Sequence, residues 1–155
     1  MLTTTPFPAG PVVDAPSRVR GFARWAATPT AATVPLVRSR VRTLLEGWRV
    51  AADTADVLLL AVSELVGNVV LHAAGPATGR MRVGITLRGG WLQLEVSDRA
   101  ASLPRLPHPR DEVDPDAEDG RGLLIVQLMT AESGGELTVT AHEFGKSVRV
   151  RVPAA

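Results

Sequence analysis

No cysteine occurs among the 155 residues, which excludes disulfide staples, thiolate metal sites and a cysteine nucleophile. The fold must therefore stand on its hydrophobic core, and this length is enough for one domain with a real core. A cytoplasmic location is compatible with that chemistry. A strong charge of either sign is also lacking. The formal net charge is +1, so there is no general electrostatic pull toward nucleic acid or a membrane surface, and neither is an expected partner. No apolar run reaches the ~18 residues of a membrane span. The N-terminus has no charged region followed by an apolar run, so no signal peptide is expected. No internal repeat is found. Lysine is nearly absent: of 17 basic residues only Lys146 is Lys, which reads as the composition bias of a GC-rich genome. Asparagine occurs once, as Asn68.

That single asparagine lies in the stretch around which the chain is organised, Leu58 to His72. The stretch reads as a helix buried on nearly all sides. Its apolar side is Leu58, Leu59, Val62, Leu65, Val66, Val69 and Val70. Glu64, Asn68 and His72 stand four apart, and at about 100° per residue they drift only ~40° per step, so they form one stripe. A stripe of this kind is most simply the solvent face of an amphipathic helix. Here Leu60, Ala61 and Leu71 flank it, which makes a poor solvent face. Polar groups set among apolar ones need partners, and a ligand with a metal ion is one kind of partner.

Elsewhere the chain punctuates itself clearly. Residues 1–17 hold four prolines and read as a flexible tail before a single domain over 18–155. Arg20 to Ala27 reads as a short edge strand, with Phe22 out of phase with Trp25. Thr33 to Gly47 reads as a helix, with Pro35 in its first turn, Val37, Val41, Leu44 and Leu45 on one stripe, and Gly47 as a stop. Arg80 to Leu87 and Trp91 to Ser97 alternate as strands about a Gly89-Gly90 hairpin turn. Arg99 to Asp119, with four prolines and six acidic residues, has the length of a functional lid or a disordered insert. Gly120 to Glu132 reads as a helix stopped by Ser133-Gly134-Gly135. Glu136 to Ala141 and Ser147 to Val152 read as strands, the last with Arg149 and Arg151 facing away from Val148, Val150 and Val152. The fold class is α/β: a two-layer α/β sandwich, with a mixed, mostly antiparallel sheet and helices on one face.

Several residues could carry chemistry. Asn68 offers an oxygen to a hard cation such as Mg²⁺. Glu64, one turn earlier, could take a proton from an attacking hydroxyl or water. Asp98, where a strand stops, is either a turn-initiating Asp or an acceptor for the exocyclic amine of adenine. Gly120-Arg121-Gly122-Leu123 is either a loop-to-helix junction or a place where backbone and helix N-terminus meet phosphate. It is not a P-loop, because the full G-x-x-x-x-G-K-[ST] run is missing. Ser147, in Gly145-Lys146-Ser147, could reach a ligand by its hydroxyl or serve only the hairpin.

Taken in order, Glu64, Asn68 and His72-Ala73, then Asp98, then Gly120-Arg121-Gly122-Leu123, then Gly145-Lys146-Ser147 leading into Val152-Pro153, resemble the Bergerat-fold ATPases. That superfamily includes gyrase B, heat-shock chaperones and histidine kinases. The small size and the run Ser63-Glu64-Leu65-Val66 with Asn68 and His72-Ala73 resemble its anti-sigma factor branch of serine/threonine protein kinases. The likeness covers roughly residues 20 to 153.

The resemblance implies ATP and Mg²⁺ as cofactors. It implies Glu64 as general base toward a protein serine, Asn68 as the Mg²⁺ ligand and Asp98 as the adenine reader. Gly120 and Gly122, with Arg121 and Leu123, would line the phosphates at the lid hinge. Ser147 would be the hydroxyl near adenine on the last strand. The implied partners are an anti-anti-sigma factor as substrate and a sigma factor as client, and relatives in this branch are often dimers. Two positions depart from the pattern. Asp98 is followed by Arg99-Ala100-Ala101-Ser102, without the family's two glycines. Gly67 stands where Thr is commoner, at a cost of ~1 kcal/mol of helix stability relative to Ala. The altered Asp98 box motivates an alternative: a non-catalytic regulatory binding module of the same fold, with nucleotide binding weak or lost.

Overall fold

The structure is a computed structural model and describes residues 19–72, 79–99, 121–143 and 145–154. The element order is β1 (Val19–Ala27), α1 (Thr33–Gly47), α2 (Ala52–His72), β2 (Met81–Arg88), β3 (Trp91–Asp98), α3 (Arg121–Glu132), β4 (Glu136–His142) and β5 (Gly145–Pro153). The five strands form one sheet in the order β1-β2-β3-β5-β4. All four pairings are antiparallel, so the sheet has no parallel pair among the described residues and is not mixed. The three helices pack against one face of it, as the two-layer reading expects.

Local chemistry explains the element ends. Pro35 sits in the first turn of α1, where its missing N–H costs no intrahelical bond. Thr33 Oγ1 donates to Thr28 O at 2.7 Å and accepts from Thr30 N at 3.2 Å, tying the helix start to the end of β1. The helix ends at Gly47, as expected, but the left-handed turn comes two residues later, at Arg49, with φ 55°. Val50 N then donates to Leu45 O at 3.0 Å, satisfying one of the last free carbonyls. The Gly89-Gly90 turn has φ 57° and 77°, the positive pair that a two-residue hairpin needs. Ser133-Gly134-Gly135 ends α3 through Gly134 N to Ala131 O and Gly135 N to Thr130 O. A side chain at Gly135 would strike Arg151 O.

One core fills the space between the layers. Val37, Val41 and Leu45 of α1, Leu123 and Val126 of α3, and every second residue of the three central strands meet on α2. Helix α2 contributes Val57, Leu58, Leu59, Ala61, Val62, Leu65, Val66 and Val69, all buried. It is longer than the stretch that organised the sequence, beginning at Ala52. Its 21 residues and mean hydropathy of 1.7 make it long and apolar enough to cross a membrane, contrary to the reading by apolar runs. Here it is the middle of the helix layer, packed by α1, α3, β3 and β5.

The other face of the sheet carries no helix among the described residues. Phe22 lies there 59% exposed, with the Arg24 guanidinium 5.7 Å from its ring centre. Arg151 stacks on Trp91 at 4.2 Å. Arg149 donates from Nε and Nη2 to Glu95 Oε2 at 3.1 and 3.0 Å.

Candidate functional site

The topology brings three element ends to one edge of the core. Helix α2 runs out at His72 and β2 begins at Met81, so the C-terminal half of α2 lies toward the end of the sheet where β2 starts. Asp98 ends β3 at that same end, because Arg82 pairs with Ser97. Helix α3 runs into β4, whose Glu136 pairs with Arg151 at the far end of β5. The first turn of α3 therefore returns to the end that holds Asp98 and Lys146.

Glu64 and Asn68 sit there half-buried, and His72 is exposed at the last turn. The stripe is thus neither a plain solvent face nor a buried one. Glu64 is seated against the first turn of α3: a Cβ added to Gly122 would collide with Glu64 Oε2 and crowd Oε1 at 2.9 Å. With Gly122 lacking a side chain, the Glu64 carboxylate lies directly against the helix start. The first backbone N–H groups of any helix lack intrahelical partners and attract anions. Arg121 is exposed, and Leu123 is buried at 3%. The Leu123 side chain belongs to the core, so it can serve a ligand only through its backbone. Gly120 and, apart from Arg99, the stretch Arg99 to Asp119 expected as a lid or insert lie outside the described residues.

Sequence reasoning missed Arg38. A charged residue beside the apolar stripe of α1 gave no signal of a partner. Arg38 is half-buried, and its Nη1 donates to Leu59 O at 2.8 Å and to Ser63 Oγ at 2.7 Å. It clamps α1 onto α2 one residue before Glu64.

At the end of the ladder between the interior strands β3 and β5, Asp98 and Lys146 are cross-strand partners. Lys146 Nζ lies 3.8 Å from Asp98 Oδ2, with side chains 10% and 9% exposed. That separation is an ion pair, longer than a charge-assisted hydrogen bond of ~2.8 Å. Gly145, with φ 148°, lets the β5 start press on the backbone of Asp98 and Arg99, where a Cβ would strike Asp98 O.

Ser147, expected as the hydroxyl near adenine, does not share the face of Asp98. Strand residues alternate between faces, and a shift of one residue changes the face. Lys146, Val148, Val150 and Val152 are buried toward the helices, whereas Ser147 lies on the open face. There its Oγ is 2.8 Å from Ser97 Oγ and 3.2 Å from His142 Nε2. The group beside Asp98 is Lys146. Gly67 is also clarified: a Cβ there would meet nothing within 4 Å among the described residues, so no close approach to the helix requires it.

The assembled groups are a carboxylate at a helix N-terminus, an amide oxygen one turn on, and a carboxylate–ammonium pair at the end of the β3–β5 ladder. The described residues contain no cluster of three or more His, Cys, Asp or Glu able to cage a metal. Their donor chemistry suits a hard cation that keeps water and phosphate oxygens and takes one or two protein oxygens, as Mg²⁺ does.

The profile of the histidine kinase-like ATPase domain matches residues 27–152. The sensor histidine kinase PdtaS of Mycobacterium tuberculosis is 33% identical over 106 residues, which make up 66% of this chain and 20% of that protein. The same figures hold for PdtaS of a second strain. The chain thus spans about one fifth of the length of the curated relatives it matches. Among solved structures, the RsbU and RsbW domains of Rv1364c from Mycobacterium tuberculosis superpose with TM-score 0.60 at 18% identity, over 84% of this chain and 32% of that one. The blue-light activated histidine kinase of Erythrobacter litoralis EL346 superposes with TM-score 0.55 at 22% identity, over 81% and 42%. Both likenesses concern the fold.

Proposed function

Since the chain belongs to the histidine kinase-like ATPase domain family, we propose that it is an ATP-binding regulatory domain of the anti-sigma kind. It acts in the cytoplasm as a serine/threonine protein kinase on an anti-anti-sigma partner and binds a sigma factor, so that phosphorylation regulates transcription. The observation that carries the catalytic part is the seating of Glu64 against Gly122 at the start of α3. The RsbW domain in one structural neighbour supports the choice of branch, together with the Ser63-Glu64-Leu65-Val66 run.

In this reading Glu64 takes the proton of the partner's serine hydroxyl as that oxygen bonds to the terminal phosphorus, and the bond from that phosphorus to the β–γ bridging oxygen breaks to release ADP. Asn68 would hold Mg²⁺ by its amide oxygen, and the ion would supply neutralisation of the phosphate charge. The backbone N–H groups from Gly120 to Leu123 hold the phosphates. Asp98 accepts from the amine of adenine. Phosphoryl transfer needs little more than positioning and charge stabilisation, so this small set is sufficient. Arg38 acts one step removed, fixing the turn of α2 that carries Glu64.

The test is a transfer assay with radiolabelled ATP and a single-domain anti-anti-sigma protein. Glu64→Ala should lower transfer by about 10²–10⁴-fold, the usual worth of a positioned base. ATP affinity should stay within about threefold, less than 1 kcal/mol. Transfer that survives the substitution removes Glu64 from the chemistry. One observation favours the second reading, a non-catalytic binding module: Asp98 is already ion-paired with Lys146. Absence of transfer to any partner, with partner binding retained, would select it.

A further inference from the structure

The chain has one lysine among 17 basic residues, and it stands at the one carboxylate assigned to the base. Everywhere else the cation is arginine. Lys146 is 8% exposed, directly across the β3–β5 ladder from Asp98, with Nζ 3.8 Å from Oδ2. It faces the helices, on the same side as Glu64 and Asn68, and not the solvent face of Ser147.

An ammonium is a compact point charge with three donors and no acceptor. Placed beside Asp98, it offers the carboxylate a charged donor. The exocyclic amine of adenine is a neutral donor and must compete with it. Bringing that amine to the carboxylate also brings two donors together. The flexible four-carbon stem of lysine lets the ammonium stay within reach of the carboxylate as a base enters.

From this we infer that Lys146 determines base selectivity by occupying the Asp98 carboxylate, so that nucleotide binding gains little from the 6-amino group of adenine. The inference rests on the nucleotide-binding reading above and deepens it. The phosphates and Mg²⁺, held by Asn68 and the α3 start, then carry most of the affinity. The site is built to take purine nucleoside triphosphates with weak discrimination at position 6. Lys146 is a specificity residue, not a catalytic one.

The experiment is calorimetric titration of the full chain with two Mg²⁺ complexes: that of ATP, and that of purine riboside triphosphate, which carries hydrogen in place of the 6-amino group. Lys146→Thr is titrated in parallel, with its fold checked by circular dichroism. The intact protein should bind the two nucleotides within about threefold of each other. In Lys146→Thr, ATP should gain about tenfold or more and be preferred over the analogue by a similar factor. A tenfold preference for ATP in the intact protein overturns the inference, and this measurement does not depend on the variant folding. Loss of ATP affinity in a folded Lys146→Thr also overturns it, making Lys146 a ligand for the nucleotide. Either of those outcomes leaves the ATP-binding reading standing. Binding of neither nucleotide to either protein removes that reading and the inference with it.

Discussion

The two faces of the sheet are made by alternate residues of the same strands, yet they are stabilised by different physics. Toward the helices stand Leu92, Leu94 and Val96 of β3 and Val148, Val150 and Val152 of β5, none more than 7% exposed. Toward solvent stand Trp91, Gln93, Glu95 and Ser97, with Ser147, Arg149 and Arg151 beside them, held by stacking, an ion pair and hydroxyl contacts. The first face gains from removal of apolar surface from water. The second consists of contacts that water competes with. The candidate site lies at the rim of the first face, where Asp98 and Lys146 continue the buried series into polar residues. A residue's face therefore decides whether it can take part at all.

This contrast can be broken by experiment. The largest effect should come from Leu94→Ala, which empties a fully buried position and should cost about 2–5 kcal/mol in denaturant unfolding. Its chain neighbour Gln93→Ala, on the open face, should stay within about 0.5 kcal/mol. Comparable losses would mean that the open face is covered in solution. Next comes Gly122→Ala. The added Cβ displaces Glu64, so transfer should fall about tenfold or more, equivalent to ~1.4 kcal/mol of barrier. Unchanged transfer would separate the Glu64 seat from catalysis. Smaller still is Glu95→Gln, which breaks the exposed pair with Arg149. It should cost about 0.2–1 kcal/mol at low salt and less at high salt. Smallest is Ser147→Ala, which should leave ATP affinity within about threefold. A larger loss would return Ser147 to the site.

Much of the fold was legible because periodicity is a local property. Val37, Val41 and Leu45 declared α1 with both its limits, and Gly89-Gly90 declared the hairpin. The candidate site was legible in part. Glu64, Asn68 and Asp98 were named from residue type and spacing, and they lie at one end of the core. Ser147 was misplaced although the signal was present: its parity with Arg149 and Arg151 already put it on the polar face, and its neighbour Lys146 shares the phase of Val148. Arg38 was not legible, because a charged residue at the edge of a helix stripe looks the same whether it meets water or a neighbouring helix. Gly47 is where α1 ends, but the left-handed conformation falls on Arg49, a residue type that carries no such signal.

By itself the sequence determined the elements, the apolar face of each, and which polar residue types are present as candidates. Those follow from backbone sterics and from the 3.6- and 2-residue periods, which act over a few residues. Only the tertiary structure decided which of these groups meet. It set Glu64 against Gly122, 58 positions later in the chain, and joined Asp98 to Lys146 across a ladder. It left Ser147 on the other side of the same sheet. Such meetings depend on register and on helix packing, which the whole core settles at once, and no short stretch of chain encodes them.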